Sequence, residues 1–197
     1  MDTSEYKINS SFTYLIILAI LILLGIVGRL LPHPPNFTPI AAIALFSGFI
    51  FMKRYMAILA VVVTMLLTDY FAFGFLSPEW FASKSMWVVY LSLLFPIVFK
   101  NFLQKKLGFL RIAGAALASS TVFFLATNFA VWAFSPMYQK TWSGLVLCYT
   151  MAIPFFQNTV AGDLIWSGVI FGIYYTLCSY SNLTVLKQKN SLIYSSN

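Results

Sequence analysis

Asp69 and Asp163 are carboxylates set within long apolar runs, and similar runs hold the amides Asn128, Gln157 and Asn158. A polar or ionisable side chain at membrane depth needs a partner, so each is a candidate for ligand recognition. Asp69 falls near the end of the third run, where a helix C-terminus disfavours a carboxylate. It calls for a cation, which Arg29, Lys84 or a positively charged substrate supplies; an interfacial Asp solvated by water is the other reading. Asp163, in Ala161-Gly162-Asp163-Leu164-Ile165-Trp166, falls near the expected start of the last span, where the helix dipole alone accounts for a carboxylate. Asn128 needs hydrogen-bond partners, either on a neighbouring helix or on a ligand. Gln157 and Asn158 follow Pro154 and either face a ligand or satisfy the backbone that the proline frees.

The chain's one histidine, His33, lies in Pro32-His33-Pro34-Pro35-Asn36-Phe37-Thr38-Pro39, between two apolar runs. Histidine titrates near neutrality and binds ligands. A histidine without Cys, Asp or Glu at ligand spacing equally serves as a hydrogen-bonding turn residue. Proline fixes its own φ and pushes its predecessor out of the helical region, so no helix continues through this stretch. Irregular backbone at membrane depth persists where protein buries it or a watery cavity meets it, which makes the turn a candidate lip of a pocket. Arg29 precedes it by about one helical turn.

The elements that position these groups follow from composition. Hydrophobic residues make up 60% of the 197, charged residues 9%, and mean hydropathy is +0.86, whereas a soluble domain carries roughly a quarter charged residues. The chain reads as an all-α polytopic membrane protein. Apolar runs fall at 12–31, 39–52, 55–73, 86–99, 109–134 and 157–180, which predicts six transmembrane helices in one domain, 12–180. The second run is short enough to be re-entrant. A further apolar stretch, 143–153, ends at Pro154 and reads as a partial or interfacial helix. Residues 1–11 and 181–197 are polar tails.

Both termini are expected in the cytoplasm. This places Lys7, Lys53, Arg54, Lys100, Lys105, Lys106, Arg111, Lys187 and Lys189 inside and leaves Arg29, Lys84 and Lys140 outside, as the positive-inside rule requires. The net charge of +7 is thereby explained by topology, and no nucleic acid is expected as partner. The first run lacks a small-residue cleavage site and reads as an anchor. Cys148 and Cys178 form no close pair and lack histidine companions, so neither a metal site nor a disulfide is expected.

Aromatic and polar residues gather toward the outer face. They include Asp69 to Phe75 with Phe73, then Pro78-Glu79-Trp80-Phe81, then Asn128 with Trp132, and Tyr138-Gln139-Lys140-Thr141-Trp142. An aromatic belt and a ligand pocket both explain such a set, but belts decorate both interfaces and the inner one here is nearly bare of Trp. Ala44, Ser47 and Gly48, with Gly114, Ala115, Ala118 and Ser119, read as helix contacts. No phosphate-binding loop, dinucleotide fingerprint, His-Glu-x-x-His or Gly-x-Ser-x-Gly pattern occurs, so no cofactor and no catalytic residue is assigned.

The runs Arg29 to Ala42, Thr127 to Trp132, Gly144-Leu145 with Cys148-Tyr149, and Ile153 to Thr159 resemble an uncharacterised family of small bacterial membrane proteins, over nearly the whole chain. That family is in turn distantly similar to the S components of energy-coupling-factor vitamin transporters. The resemblance implies an S-component-like six-helix bundle in the bacterial cytoplasmic membrane that binds a vitamin or precursor near the outer surface. It also implies an energising transmembrane and ATPase module as partner. The expected substrate-binding residues are His33, Asn36, Asp69, Phe73, Trp80, Asn128, Trp132, Tyr138, Gln157, Asn158 and Asp163. Small residues spaced four apart on the first helix, the usual docking feature, are missing from Ala19 to Leu23. The alternatives are a membrane-embedded enzyme using His33, Asp69 or Asp163 on a lipid-like substrate, and a non-catalytic subunit of a membrane complex.

Overall fold

The computed structural model describes the backbone of residues 11–73 and 82–195 and the side chains within 12–72 and 82–180. Among these the chain is all helical: α1 (Ser11–Leu30), α2 (Ile40–Ile50), α3 (Arg54–Phe73), α4 (Lys84–Leu94), a 3₁₀ segment (Phe95–Phe99), α5 (Lys100–Lys105), α6 (Phe109–Phe134) and α7 (Trp142–Ser195). Five stretches are long and apolar enough to cross a membrane: Phe12–Leu30, Arg54–Ala72, Lys84–Lys105, Phe109–Phe134 and Trp142–Tyr180. In hydrocarbon no water satisfies backbone N–H and C=O groups, so sequences this apolar fold as helices that bond internally.

The sixth apolar helix, α2, has 11 residues and a length of about 16 Å at 1.5 Å per residue, roughly half of a hydrocarbon core of about 30 Å. Ten of its residues are buried. It is the axis of the bundle, touching α1, α3, α4, α5, α6, α7 and the 3₁₀ segment. Its small residues permit this: Ala44 and Ser47 are fully buried, and a Cβ on Gly48 would stand 3.1 Å from the Ile97 Cα of the 3₁₀ segment. Phe46 and Phe49, toward its C-terminal end, stack edge-on or tilted against Phe171 and Tyr174 of α7, with ring centroids 5.2–5.6 Å apart.

The two ends of α2 are treated differently. At the C-terminal end, where carbonyls lack helical partners, Gln104 Nε2 donates to Phe49 O at 2.8 Å and Lys100 Nζ to Phe51 O at 2.9 Å and Met52 O at 2.5 Å. At the N-terminal end Pro39 precedes the first turn and no side chain caps it.

The last helix departs from expectation. Instead of a partial helix over 143–153 and a new span from 157, α7 runs unbroken from Trp142 with Pro154 inside it. Proline removes one helical bond, and hydroxyl side chains and neighbouring helices make that tolerable in a membrane helix. Thr150, at the position whose carbonyl Pro154 leaves without an N–H, folds its hydroxyl back onto Val146 O and Leu147 O, both at 2.9 Å. Thr141 caps the start, accepting from Gly144 N at 3.2 Å. The fourth apolar run likewise continues past residue 99, through the 3₁₀ turn at Pro96, to Lys105. Gly114 is exposed with open space around it, so it is not a helix contact as expected. Gly25 and Gly28 take that role: a Cβ there would run into Thr64 and into the Pro39 ring.

Candidate ligand-binding site

The turn between α1 and α2 is defined by its residue types. Phe37 N donates to Pro34 O at 3.0 Å, closing a four-residue turn with Pro35 and Asn36 at its centre. Asn36 has φ 66°, the left-handed region. Proline at the second position and a positive φ at the third define a type II turn, whose third position favours Gly or Asn. The turn lies on α7, where a Cβ on Gly162 would stand 3.1 Å from Phe37 Cα. His33 fastens it to α1: Nε2 lies 3.1 Å from Arg29 O and Nδ1 2.8 Å from Pro34 O. An imidazole with one N–H donates to one of these carbonyls at a time, so the backbone holds the ring in either tautomer.

Beneath this turn, at the uncapped end of α2, lies a cavity of about 340 Å³. All six apolar helical stretches contribute to it. Its polar lining comprises Arg29, His33, Asn36, Thr38, Thr68, Thr159 and Asp163, and its apolar wall includes Ile40, Met65, Leu93 and Phe123. A smaller neighbouring cavity of about 90 Å³ shares Asn36, Phe123 and Thr159 and extends to Thr127, Asn128 and Phe156. The half-length of α2 creates the space, because a full-length helix would fill it. The first-turn N–H groups of α2, which have no helical acceptors, give that end partial positive charge.

The two buried carboxylates have opposite environments. Asp69 is wholly buried. Its Oδ1 lies 2.5 Å from the Arg29 guanidinium in an ion pair, and its Oδ2 accepts from Tyr90 Oη at 2.8 Å. Arg29 also donates to Thr68 Oγ1, whose own hydroxyl donates to Thr64 O at 2.8 Å. The cation Asp69 calls for is therefore Arg29; Lys84 instead lies over the Phe134 ring, 5.6 Å from its centroid. Asp163 is 4% exposed. Its Oδ2 accepts from Ser120 Oγ at 2.5 Å, and no cation pairs with it among the described residues. It stands well over twenty ångströms of helix from Trp142, so the dipole explanation, which needs a helix start nearby, does not hold.

The other expected site residues are dispersed. His33, Asn36 and Asp163 line the main cavity, and Asn128 lines the smaller one, its Nδ2 donating to Phe124 O at 2.8 Å. Asp69 stands behind Arg29 and Thr68. Trp132 Nε1 donates to Gln139 O at 3.0 Å, and Lys140 Nζ donates to Trp132 O and Ser135 O. That region, including Tyr138, closes the end of α6 without lining either cavity. Gln157 is exposed and Asn158 half-buried on α7, outside both linings. The Phe73 side chain and Trp80 lie outside the described residues. Residues not expected as site members are Arg29, Thr38, Thr68, Thr159 and, behind Asp163, Ser120. Thr159 and Asp163 share one helix face by their spacing of four; nothing in the sequence marks Ser120.

The fold is a helical bundle in which five stretches are long and apolar enough to cross a membrane, with a cavity lined by a few polar groups at the end of a half-length central helix. Residues 9–186 match the family of unknown function DUF6580, and the chain belongs to that family. No curated protein matches the chain.

Proposed function

We propose that this protein binds a small micronutrient, a vitamin or precursor, and passes it across the bacterial cytoplasmic membrane in the manner of an S component. The observation that carries this reading is the cavity of about 340 Å³, bordered by the proline turn and by every apolar helix. Its size falls within the roughly 300–1,000 Å³ usual for small-molecule sites, and a few polar groups converge in an apolar wall. In this reading the cavity faces outward and both termini are cytoplasmic, in keeping with the basic residues near 53, 100–111 and 187–189. Inward release then depends on an energising transmembrane and ATPase module.

Binding is favoured over catalysis by the state of the titratable groups. Asp69 is committed to Arg29 and Tyr90 and lines neither cavity, so His33, Asp69 and Asp163, the three groups an enzyme would use, do not meet on one wall.

The test is thermal melting of the purified protein with vitamins and their precursors. A ligand at 100 times its Kd adds about 2.7 kcal/mol to stability. If no compound raises Tm and mass spectrometry finds no co-purifying small molecule, the binding reading fails. Labelling of cysteines introduced at Tyr138 and at Lys187, in a variant without Cys148 and Cys178, tests the orientation. The first should react from outside the cell and the second only after permeabilisation.

A further inference from the structure

We infer that the ligand of the main cavity carries a protonated nitrogen, which Asp163 binds. This deepens the binding reading above and rests on it. Asp163 is 4% exposed, lines the cavity and is paired with no cation among the described residues. A carboxylate taken from water needs an opposite charge or a proton. The cavity's own cationic side chain, Arg29, is held by Asp69, Thr68 and Met65 O, the last at 3.5 Å. His33 is held by two carbonyls. A cationic ligand supplies the charge that these side chains do not.

The surroundings of Asp163 favour the same class. Thr159, four residues earlier on α7, donates its hydroxyl to Phe155 O at 2.9 Å and so presents its remaining lone pair. Asn36, Thr159 and Asp163 line one cavity, and the last two offer acceptors there. An ammonium or protonated ring nitrogen brings the donors that these acceptors lack. Ile40, Met65, Leu93 and Phe123 suit a compact apolar or aromatic body, while the first turn of α2 suits an electron-rich group at its other end. The chemical class is thus a small, mostly apolar or heteroaromatic molecule with one protonated nitrogen. The rival occupant is a proton. In that case Asp163 donates to Ser120 Oγ and Ser120 to Ala116 O at 3.1 Å, and no cationic ligand is needed.

Matched pairs of probes decide between them: benzylamine against benzyl alcohol, and tryptamine against tryptophol, titrated calorimetrically into the full-length protein in nanodiscs. The expected result is binding of the cationic member about tenfold or more tighter than its neutral isostere, the scale of a hydrogen bond to a charged group. In Asp163→Asn the ratio should fall to about one, and in Asp163→Glu, which keeps the charge, a preference should persist. Equal or tighter binding of the neutral members to the wild type overturns the inference and leaves the binding reading standing. Binding of neither member, together with no Tm response to the vitamin panel, overturns both. Should Asp163→Asn fail to fold, the wild-type comparison still decides.

Discussion

The Arg29 guanidinium of α1 lies 2.5 Å from the Asp69 carboxylate of α3, and the same carboxylate receives the hydroxyl of Tyr90 from α4 at 2.8 Å. Three helices are thereby joined at one buried anion. Removing one partner of such a pair leaves an uncompensated charge and costs about 3–5 kcal/mol, whereas replacing both with apolar residues is often neutral. Arg29→Met is therefore expected to lower stability by roughly that amount. Arg29→Met combined with Asp69→Leu should recover most of it in a double-mutant cycle followed by thermal melting.

Asp163 should behave in the opposite way. Among the described residues its carboxylate has no cation, so Asp163→Asn, which keeps an acceptor for Ser120, is expected to stabilise the ligand-free protein by about 1–3 kcal/mol. A ligand-free Tm at or below that of the wild type contradicts this.

Asn36 separates backbone from side chain. Its φ of 66° is one that Gly adopts freely and a β-branched residue resists. Asn36→Gly is expected to leave the melting temperature within a few degrees of wild type, while Asn36→Val lowers stability by about 1–3 kcal/mol. Any loss of ligand affinity in Asn36→Gly then reports the missing amide.

Gly162 holds the turn against α7. A Cβ 3.1 Å from Phe37 Cα obliges the turn to shift, and overpacking of this kind costs about 1–3 kcal/mol. Gly162→Leu should thus reduce stability in melting experiments, and affinity with it. The same change at Gly168, which has open space around it, should do neither.

Lys100 caps the far end of α2 through Phe51 O and Met52 O. Lys100→Met is expected to cost about 1–3 kcal/mol, the range for a hydrogen bond to a charged group. Hydrogen exchange should show the loss first at the C-terminal end of α2.

The bundle was legible in the sequence where one physical rule dominated. Twenty-residue apolar runs between basic loops give α1, α3 and α6 nearly at their observed bounds. The brevity of α2 follows from the prolines at 32 to 39 on one side and Lys53-Arg54 on the other. Proline was weighed too heavily at 154, which the last helix carries in its interior.

Within the site, Asp69 declared its need for a cation, but its partner was one of three candidates because pairing across helices depends on packing. Asp163 was misjudged because its environment was inferred from a helix start that is elsewhere. Trp132 and Lys140 drew notice through residue type, yet they tie the end of α6 to its own loop. Arg29, Lys84 and Lys140 are each engaged within the protein: Arg29 by Asp69, Lys84 over Phe134, and Lys140 on α6 carbonyls.

In the proposed uptake role, the brevity of α2 also sets the travel left to a molecule seated on its first turn. Only about 16 Å of protein separates that seat from the opposite end of the helix, and rings occupy the route: Phe46, Phe49, Phe171 and Tyr174 interlock there. Under the proposed uptake role, passage along this axis depends on how often these four aromatic side chains part, not on the thickness of the lipid.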